Sequence, residues 1–291
     1  MENGYPPGTA LARDRGVACG VASSDDPRWQ ICDTPLGPLH VRRVGTGEPT
    51  LVWHSAYVDS HSFDRLIPLF PEREWILIDG PGHGRSPAPP GRFSIADCAD
   101  AAAAVIDQLG LESVDWVGNA WGGHTGVTLA IRPDSPIRTL AVLCAPMQPP
   151  TIGPGLRAMM KAFPIVGLVG PLRSGLVGAL LDQQKREADP ELEAYVVRAA
   201  TGPDTRGLVR ALESVVVNRT DLVAQLDRIR VPTLFLTGDN PLWPVAQARV
   251  QLARVPQGRF AHLAGVRHLP QLEDPAGTAE ALRAFWVESL G

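Results

Sequence analysis

The sequence predicts an α/β protein in which a mostly parallel, eight-stranded sheet is flanked by helices and interrupted by one helical insertion. Short apolar runs bounded by turn residues recur along the chain, as they do for strands buried on both faces. Segments of helical character alternate with these runs, and such alternation indicates parallel βαβ units. The alternation stops only between Met147 and about Arg230, and this interval predicts the insertion.

Size and composition limit the possible functions. The 291 residues could form one α/β domain with an insertion or two ordinary domains, and the periodicity favours the first arrangement. A hydrophobic content of 44% and a net charge of -4 are typical of a soluble globular protein without an electrostatic footprint for nucleic acid or anionic membranes. No run approaches the roughly 20 apolar residues that span a bilayer. We therefore expect a small-molecule ligand, no nucleic-acid or membrane partner, and a monomer or homodimer.

The predicted elements follow in chain order. The strands are Trp29 to Thr34, Leu39 to Val44, Thr50 to Trp53, Trp75 to Ile78, Val114 to Val117, Thr139 to Cys144, Thr233 to Leu236 and Arg259 to Leu263. The turn Pro35-Leu36-Gly37-Pro38 predicts that the first two strands pair as an antiparallel hairpin. The core helices are Ser60 to Phe70, Ser94 to Leu109 and Gly122 to Ile131, with Ser94 as an N-cap and Gly110 as a stop.

The domain boundaries follow from these elements. Residues 1–26 are expected to form a flexible N-terminal arm without the apolar stretch of a signal peptide. Residues 27–146 and 231–291 form the α/β core, and residues 147–230 form a helical cap with stretches at Pro190 to Ala200 and Gly207 to Val217. An insertion placed before a late strand lies over the carboxyl edge of the sheet, where ligands bind. The four cysteines lie far apart, so neither a zinc site nor a disulfide framework is indicated, and a reducing, cytoplasmic location is expected.

One strand leads into a turn with the features of a nucleophile elbow. The strand Val114 to Val117 runs into Gly118-Asn119-Ala120-Trp121-Gly122, and a helical segment follows. In such an elbow, small residues two before and two after the central position let strand and helix approach each other. Gly118 and Gly122 occupy those positions, but the central residue is Ala120, whose methyl group cannot attack a carbonyl.

Three further motifs appear in a consistent order. Trp53-His54-Ser55-Ala56 follows a strand, where a loop completes an oxyanion hole in enzymes with this elbow. The segment Asp79-Gly80-Pro81-Gly82-His83-Gly84-Arg85-Ser86 follows the next strand and has the form of a structural loop. Near the C-terminus, His268-Leu269-Pro270-Gln271-Leu272-Glu273-Asp274-Pro275 follows the last strand and reads H-x-x-x-x-E-x-P.

With these four motifs the chain resembles the α/β-hydrolase fold superfamily from about Trp29 to Leu290, and in particular its capped esterases and C–C hydrolases. The resemblance implies a nucleophile at position 120, a base at His268, and oxyanion-hole amides from Ser55 and Trp121. It also implies an acid after the strand Thr233 to Leu236. Asp239 is preferred there because a carboxylate stabilises imidazolium, and Asn240, directly before a proline, is the alternative.

The resemblance implies no cofactor, and the remaining histidines are too scattered to suggest a metal site. Substrate contacts are expected from His54, Ala56, Phe163 and Trp243, although His54 could organise its loop, and Phe163, Trp243, Met159 and Met160 could pack in the core. Ser55 is also considered as a displaced nucleophile. His124 is expected to form a local hydrogen bond.

Ala120 leaves three functional explanations open. The chain could be a hydrolase whose serine was replaced by alanine to trap a complex. It could be a naturally serine-free enzyme in which His268, held by Asp239, acts as a general base on a reactive substrate. It could also be a catalytically silent ligand-binding or receptor-like protein, since the fold alone does not determine activity. The expected function is chemistry on a small molecule in a capped, largely apolar pocket.

Overall fold

The computed structural model of the protein describes residues 19–21, 26–150, 153, 163, 165, 167–202 and 204–290. Its strands are β1 (Gly20–Val21), β2 (Trp29–Thr34), β3 (Gly37–Val44), β4 (Glu48–Trp53), β5 (Arg73–Ile78), β6 (Val114–Asn119), β7 (Ile137–Leu143), β8 (Thr233–Gly238) and β9 (Gly258–Leu263). Its α-helices are α1 (Ile95–Gln108), α2 (Trp121–Ala130), α3 (Gly170–Leu180), α4 (Gln183–Ala188), α5 (Pro190–Ala200), α6 (Thr205–Leu212), α7 (Val245–Leu252), α8 (Pro270–Glu273) and α9 (Pro275–Leu290). Short 3₁₀ helices span Ser60–Phe63, Ile67–Leu69 and Val223–Arg228, and a π-helical turn spans Glu213–Val217.

All the strands belong to one sheet in the order β1-β2-β3-β5-β4-β6-β7-β8-β9. The pairs β1 with β2, β2 with β3, and β3 with β5 are antiparallel. From β5 to β9 the neighbours are parallel. The predicted mostly parallel sheet is therefore confirmed, and β1 adds a two-residue strand to the eight that the sequence predicts.

A disulfide joins Cys19 to Cys32. Strand β1 pairs Gly20 with Ile31 in an antiparallel register, so the preceding and following cysteines face each other with their Cα atoms 4.4 Å apart. The cysteine spacing indicates no disulfide framework, and it does not reveal this single cross-strand pair. Residues 20–21 belong to the sheet, whereas residues 1–18 and 22–25 of the expected arm lie outside the described residues.

The sequence predicts the ends of α1 correctly, but the helix predicted near residue 60 is wrong. Ser94 accepts from the Asp97 amide while the Asp97 side chain accepts from the Ser94 amide, and Gly110 follows the helix with a φ of 69°. This capping box and glycine stop confirm the predicted ends. The predicted helix from Ser60 to Phe70 is wrong: two 3₁₀ helices replace it, since Pro68 has no N–H to continue an α-helix.

The sheet is buried on both faces, as its continuous apolar runs predict. Along β5, Ile76 and Ile78 pack in a cluster with α1 and α2, whereas Trp75 and Leu77 pack on the opposite face with α9. This alternation follows from the two-residue period of a strand. None of the described helices is long and apolar enough to cross a membrane.

The helices α3 to α6 lie between β7 and β8 in the chain, inside the interval predicted as the cap. Two hydrogen bonds from main-chain amides attach them to the loop that carries His268. The His268 amide donates to the Leu180 carbonyl over 3.2 Å, and the Asp182 amide donates to a Glu273 carboxylate oxygen over 2.7 Å. The inserted helices are thus connected directly to the candidate site.

Candidate active site

The turn between β6 and α2 has the geometry of a nucleophile elbow. Ala120 adopts a φ of 48° and a ψ of -103°, a conformation that costs a non-glycine residue on the order of 1–3 kcal/mol. A Cβ at Gly118 would lie 2.2 Å from the Gly122 carbonyl oxygen, and one at Gly122 would lie 1.9 Å from the Trp53 carbonyl oxygen. Both glycines are therefore required by close backbone contacts, and the strained turn persists without a nucleophilic side chain.

The loop after β9 holds the His268 backbone in place. The Glu273 carboxylate accepts hydrogen bonds from the amides of Arg267, His268 and Leu269, in addition to the Asp182 amide. The side-chain amide of Asn119, directly before Ala120, donates to the His268 carbonyl oxygen over 2.9 Å. The histidine is thus fixed relative to the elbow by side-chain hydrogen bonds to its main chain.

Asn240 determines which nitrogen of His268 carries the ring proton. Nδ2 of Asn240 lies 2.7 Å from Nδ1 of His268. The Leu242 amide donates to Oδ1 of the same Asn240 side chain over 2.9 Å, and this contact fixes the orientation of the amide because an N–H cannot face an NH₂ group. Nδ2 is then a donor, Nδ1 is an acceptor, and the proton of the neutral ring is on Nε2.

The Nε2 atom of His268 points toward Ser55. The distance from Nε2 to Ser55 Oγ is 3.3 Å, so the hydroxyl oxygen is positioned to accept from the ring N–H. Burial lowers the pKa of His268 to about 4, because desolvation disfavours imidazolium. His268 is therefore neutral at pH 7.

Asp239 does not contact His268, and the structure corrects the preference for this residue. Its carboxylate accepts from the Gly265 amide over 2.8 Å and lies 3.0 Å from Nε2 of His262. The Gly265 hydrogen bond, with a smaller effect of His262, lowers the pKa of Asp239. Asp239 supports the loop after β9 from the outside, and the neighbouring Asn240 occupies the position beside the ring.

The two amides expected to form an oxyanion hole flank Ala120. Ser55 and Trp121 both line the cavity next to it, and neither amide donates a hydrogen bond to another of the described residues. His54 was expected to contact substrate, but it is fully buried outside the cavity. Its ring bridges the Ser55 carbonyl oxygen and the Gly80 amide, so it organises the loop.

A cavity of about 720 Å³ opens beside Ala120 and His268. Its walls come from the core loops and from the inserted helices, and they are mainly apolar; Ala56 and Phe163 lie among them as expected. Trp243 does not: it is fully buried, packs on Phe235 and donates to Gln251. Met159 and Met160 lie outside the described residues.

Two polar residues of the cavity wall share one carbonyl acceptor. His124, the expected local hydrogen-bonding residue, places Nε2 2.9 Å from the Pro146 carbonyl oxygen, and burial holds the pKa of His124 well below its usual range. Arg219 donates to the same carbonyl and to those of Met147 and Gln148. The sequence gives no signal for Arg219, since a single arginine near the end of the insertion matches no motif. No group of three or more His, Cys, Asp or Glu side chains in the described ranges is arranged to hold a metal ion.

Comparison with known proteins gives relatives along most of the chain. The putative carbamate hydrolase RutD of Pseudomonas syringae is 28% identical over 249 residues, which cover 81% of this chain and 93% of that protein. An (E)-2-((N-methylformamido)methylene)succinate hydrolase of Acinetobacter baylyi is 23% identical, with coverage of 86% and 94%. The solved structure of a thermophilic esterase from Thermogutta terrifontis superposes with a TM-score of 0.80 at 20% identity, covering 90% of this chain and 98% of the esterase.

The family assignment agrees with the order of the motifs. The model of the alpha/beta hydrolase family matches residues 50–281, a range that includes the elbow, the loop of Ser55 and the loop of His268. The resemblance inferred from these motifs is confirmed at the level of family and fold. The chain belongs to the alpha/beta hydrolase family.

Proposed function

We propose that this protein is an enzyme that acts on a small, largely apolar carbonyl compound in the cavity beside Ala120, without forming a covalent intermediate at residue 120. The observation that carries the proposal is the hydrogen bond from Asn240 to Nδ1 of His268, together with the Leu242 amide that fixes its direction. In this role His268 donates a hydrogen bond from Nε2 to the carbonyl oxygen of the ligand.

The departures at two positions support a chain that is serine-free by nature. A single Ser→Ala replacement, made to trap a complex, would leave an aspartate beside the histidine. Here the side chain beside Nδ1 is Asn240, and the elbow carries Ala120. The nucleophile and the group that would stabilise imidazolium are thus both missing, which a trapping substitution at one position does not explain.

General-base catalysis by His268 is disfavoured in this site. A histidine with a pKa of about 4 accepts a proton at pH 7 at a cost of about 4 kcal/mol. Asn240 presents an N–H group to Nδ1, so protonation of both ring nitrogens would also break this hydrogen bond. A neutral His268 that only donates its Nε2–H group has neither cost. A preorganised donor in a mainly apolar cavity effectively stabilises a developing oxyanion.

The proposed reaction is hydrolysis: water adds to the polarised carbonyl carbon, the bond from this carbon to the leaving oxygen or sulfur breaks, and the proton that the water loses passes to the departing alkoxide, phenolate or thiolate or to solvent. The oxyanion accepts from Nε2 of His268 and from the amides of Ser55 and Trp121. Since no group of the site is positioned as a strong base, the substrate must be intrinsically reactive, as activated esters, thioesters and lactones are. The helices α3 to α6 act as the cap that shields this site from bulk water.

We retain the expectation of a monomer or homodimer. The expected cytoplasmic location loses one of its supports, because the Cys19–Cys32 disulfide is unusual in a reducing compartment.

The tautomer of His268 is the direct test. ¹⁵N NMR of the histidine rings at pH 7, with His268→Gln to assign the signal, should give a protonated Nε2 and an unprotonated Nδ1. A proton on Nδ1 would overturn the donor role and restore the general-base explanation.

Turnover provides the second part of the test. On a panel of activated aryl esters, thioesters and lactones, we expect His268→Ala to abolish product formation and His268→Gln to retain a measurable part of it. A glutamine side chain donates a hydrogen bond but takes up no proton. Equal loss in both variants would contradict the donor role.

Ligand binding without turnover is the second candidate function. It is favoured by the same two residues, Ala120 and Asn240, because neither supplies the covalent chemistry typical of the fold. Recovery of every bound compound unchanged, with wild-type protein and with His268→Ala alike, would support binding alone. Product that depends on His268 would exclude it.

A further inference from the structure

Arg219 places a guanidinium group in the wall of the mainly apolar cavity. The residue is 6% exposed and lines the same cavity as Ala120 and His268. Its Nη1 and Nη2 groups donate to three successive carbonyl oxygens, at Pro146, Met147 and Gln148. A guanidinium has five N–H groups, so two remain without a partner among the described residues.

No carboxylate neutralises this charge within the described part of the chain. Arg219 forms no ion pair there, and Asp221 is the only acidic residue that favours its charged form. Burial lowers the pKa of Arg219 to about 10, which still leaves the group charged at pH 7. The sequence from 151 to 166 contains no Asp or Glu, so that segment supplies no counterion either.

The other titratable groups of the cavity wall do not neutralise the positive charge of Arg219. Among the described residues that line the cavity, Arg219 is the only Arg, Lys, Asp or Glu. His124 and His268 are neutral because burial lowers the pKa of each ring. A buried charge without an ionic partner is costly, and the cavity therefore has a net positive wall that an anionic ligand group would neutralise.

We propose that the ligand of this cavity carries a carboxylate that pairs with Arg219, while its apolar part contacts the inserted helices. The substrate class is then a carboxylate that also contains a reactive carbonyl. The identity of the carbonyl rests on the proposed function, whereas the anion site rests on Arg219 alone. The remaining N–H donors point to recognition by charge-assisted hydrogen bonds, which are stronger than neutral ones.

A purely structural role for Arg219 gives a different expectation. In that case the guanidinium serves only to hold the carbonyls of residues 146–148, and the cavity has no preference for anions. The two roles are separated by comparing ligands that differ in charge but have almost the same shape.

The test measures binding of phenylacetate and phenylacetamide, and of octanoate and octanamide, to the wild-type protein by isothermal titration calorimetry at pH 7. We expect each carboxylate to bind at least tenfold more tightly than its amide. In Arg219→Met the ratio should fall to near one, and in Arg219→Lys most of the preference should remain. Arg254→Met, which removes an exposed arginine, is the matched control and should retain the wild-type ratio.

The wild-type measurement decides the proposal even if Arg219→Met fails to fold, which a thermal melt reveals. Equal affinity within each pair, no binding of either carboxylate at millimolar concentration, or an unchanged preference in a folded Arg219→Met would overturn it. Anion preference without any turnover would keep this site and count against the proposed function. Turnover of neutral carbonyl compounds without anion preference would support the proposed function and count against the anion site at Arg219.

Discussion

Asn240 donates a hydrogen bond to Nδ1 of His268 across 2.7 Å, where a triad would have a carboxylate that accepts one. The difference reverses the proton arrangement of the ring. In the triad, the carboxylate keeps the proton on Nδ1 and leaves Nε2 free to act as a base. Here Nε2 holds the proton, and the histidine can polarise a carbonyl but is a poor proton acceptor.

Replacement of Asn240 by aspartate should reverse the tautomer. In Asn240→Asp, a carboxylate beside Nδ1 stabilises imidazolium, so we expect the pKa of His268 to rise by at least one unit from its value of about 4. An NMR titration of the ring signals measures the change. Asp239→Asn is the matched control and should leave His268 unchanged, because its carboxylate contacts His262 and Gly265 instead. An unchanged pKa in Asn240→Asp would contradict this account of the site.

Restoration of serine chemistry should require two substitutions. We expect Ala120→Ser alone to hydrolyse activated aryl esters weakly, because the ring still presents Nε2–H to the new hydroxyl. The double variant Ala120→Ser with Asn240→Asp should be at least about 100-fold faster, since triad members act as a unit. Steady-state rates and mass spectrometry of an acyl-enzyme measure the effect, and adding His268→Ala should abolish it. A single variant as active as the double one would show that Asn240 does not limit the chemistry.

The buried histidines should make the protein less stable in mild acid. Burial lowers the pKa of His54, of His83 to about 3, and of His268 to about 4, from a usual value of 6.5. Below about pH 6.5 the unfolded chain therefore binds more protons than the native protein. The contribution of these neutral rings to the free energy of unfolding is complete above this pH and is lost as the pH falls toward 4. We expect the melting temperature to decline through this range.

His268 alone should contribute up to about 3 kcal/mol to this decline by pH 4. The slope of melting temperature against pH should be smaller in His268→Gln than in the wild type. A melting temperature that is constant from pH 6.5 to pH 4 would mean that these rings are not held neutral by the fold.

Removal of the Cys19–Cys32 bond should destabilise the native state. The bond closes a loop with a sequence separation of 13, and loss of such a cross-link costs about 3 kcal/mol in the chain-entropy account. Denaturant unfolding of the wild type with and without reductant measures the cost, and Cys32→Ser should be insensitive to reductant. Thiol titration of the unreduced, unfolded protein should give two free thiols, Cys98 and Cys144; four would show that the bond does not form.

The sequence allowed the sheet, the elbow and the histidine loop to be predicted because each depends on local patterns. Ser94 and Gly110 mark their helix ends by side-chain and backbone chemistry that neighbouring residues determine. The choice between Asp239 and Asn240 is different. The two residues are adjacent, and the direction of each side chain depends on long-range contacts of β8 with the loop after β9, such as the bond from the Asp239 amide to the Val266 carbonyl.

Two other features could not be predicted from local sequence patterns. Cys19 faces Cys32 only because of the register between β1 and β2. Arg219 approaches the elbow only because the chain from the end of the insertion returns past residues 146–148. Both depend on contacts between segments that are distant in the sequence, and composition and periodicity do not report such contacts.

The bonds from the His268 amide to Leu180 and from the Asp182 amide to Glu273 connect the wall of the cavity with the geometry of the ring. Leu172, Leu176 and Leu180 of the inserted helix α3 form part of the cavity wall. Any outward movement of the segment from 180 to 182 must either break both bonds or shift the loop that positions the imidazole. The position of this wall of the cavity and the alignment of the hydrogen-bond donor at His268 are therefore mechanically coupled.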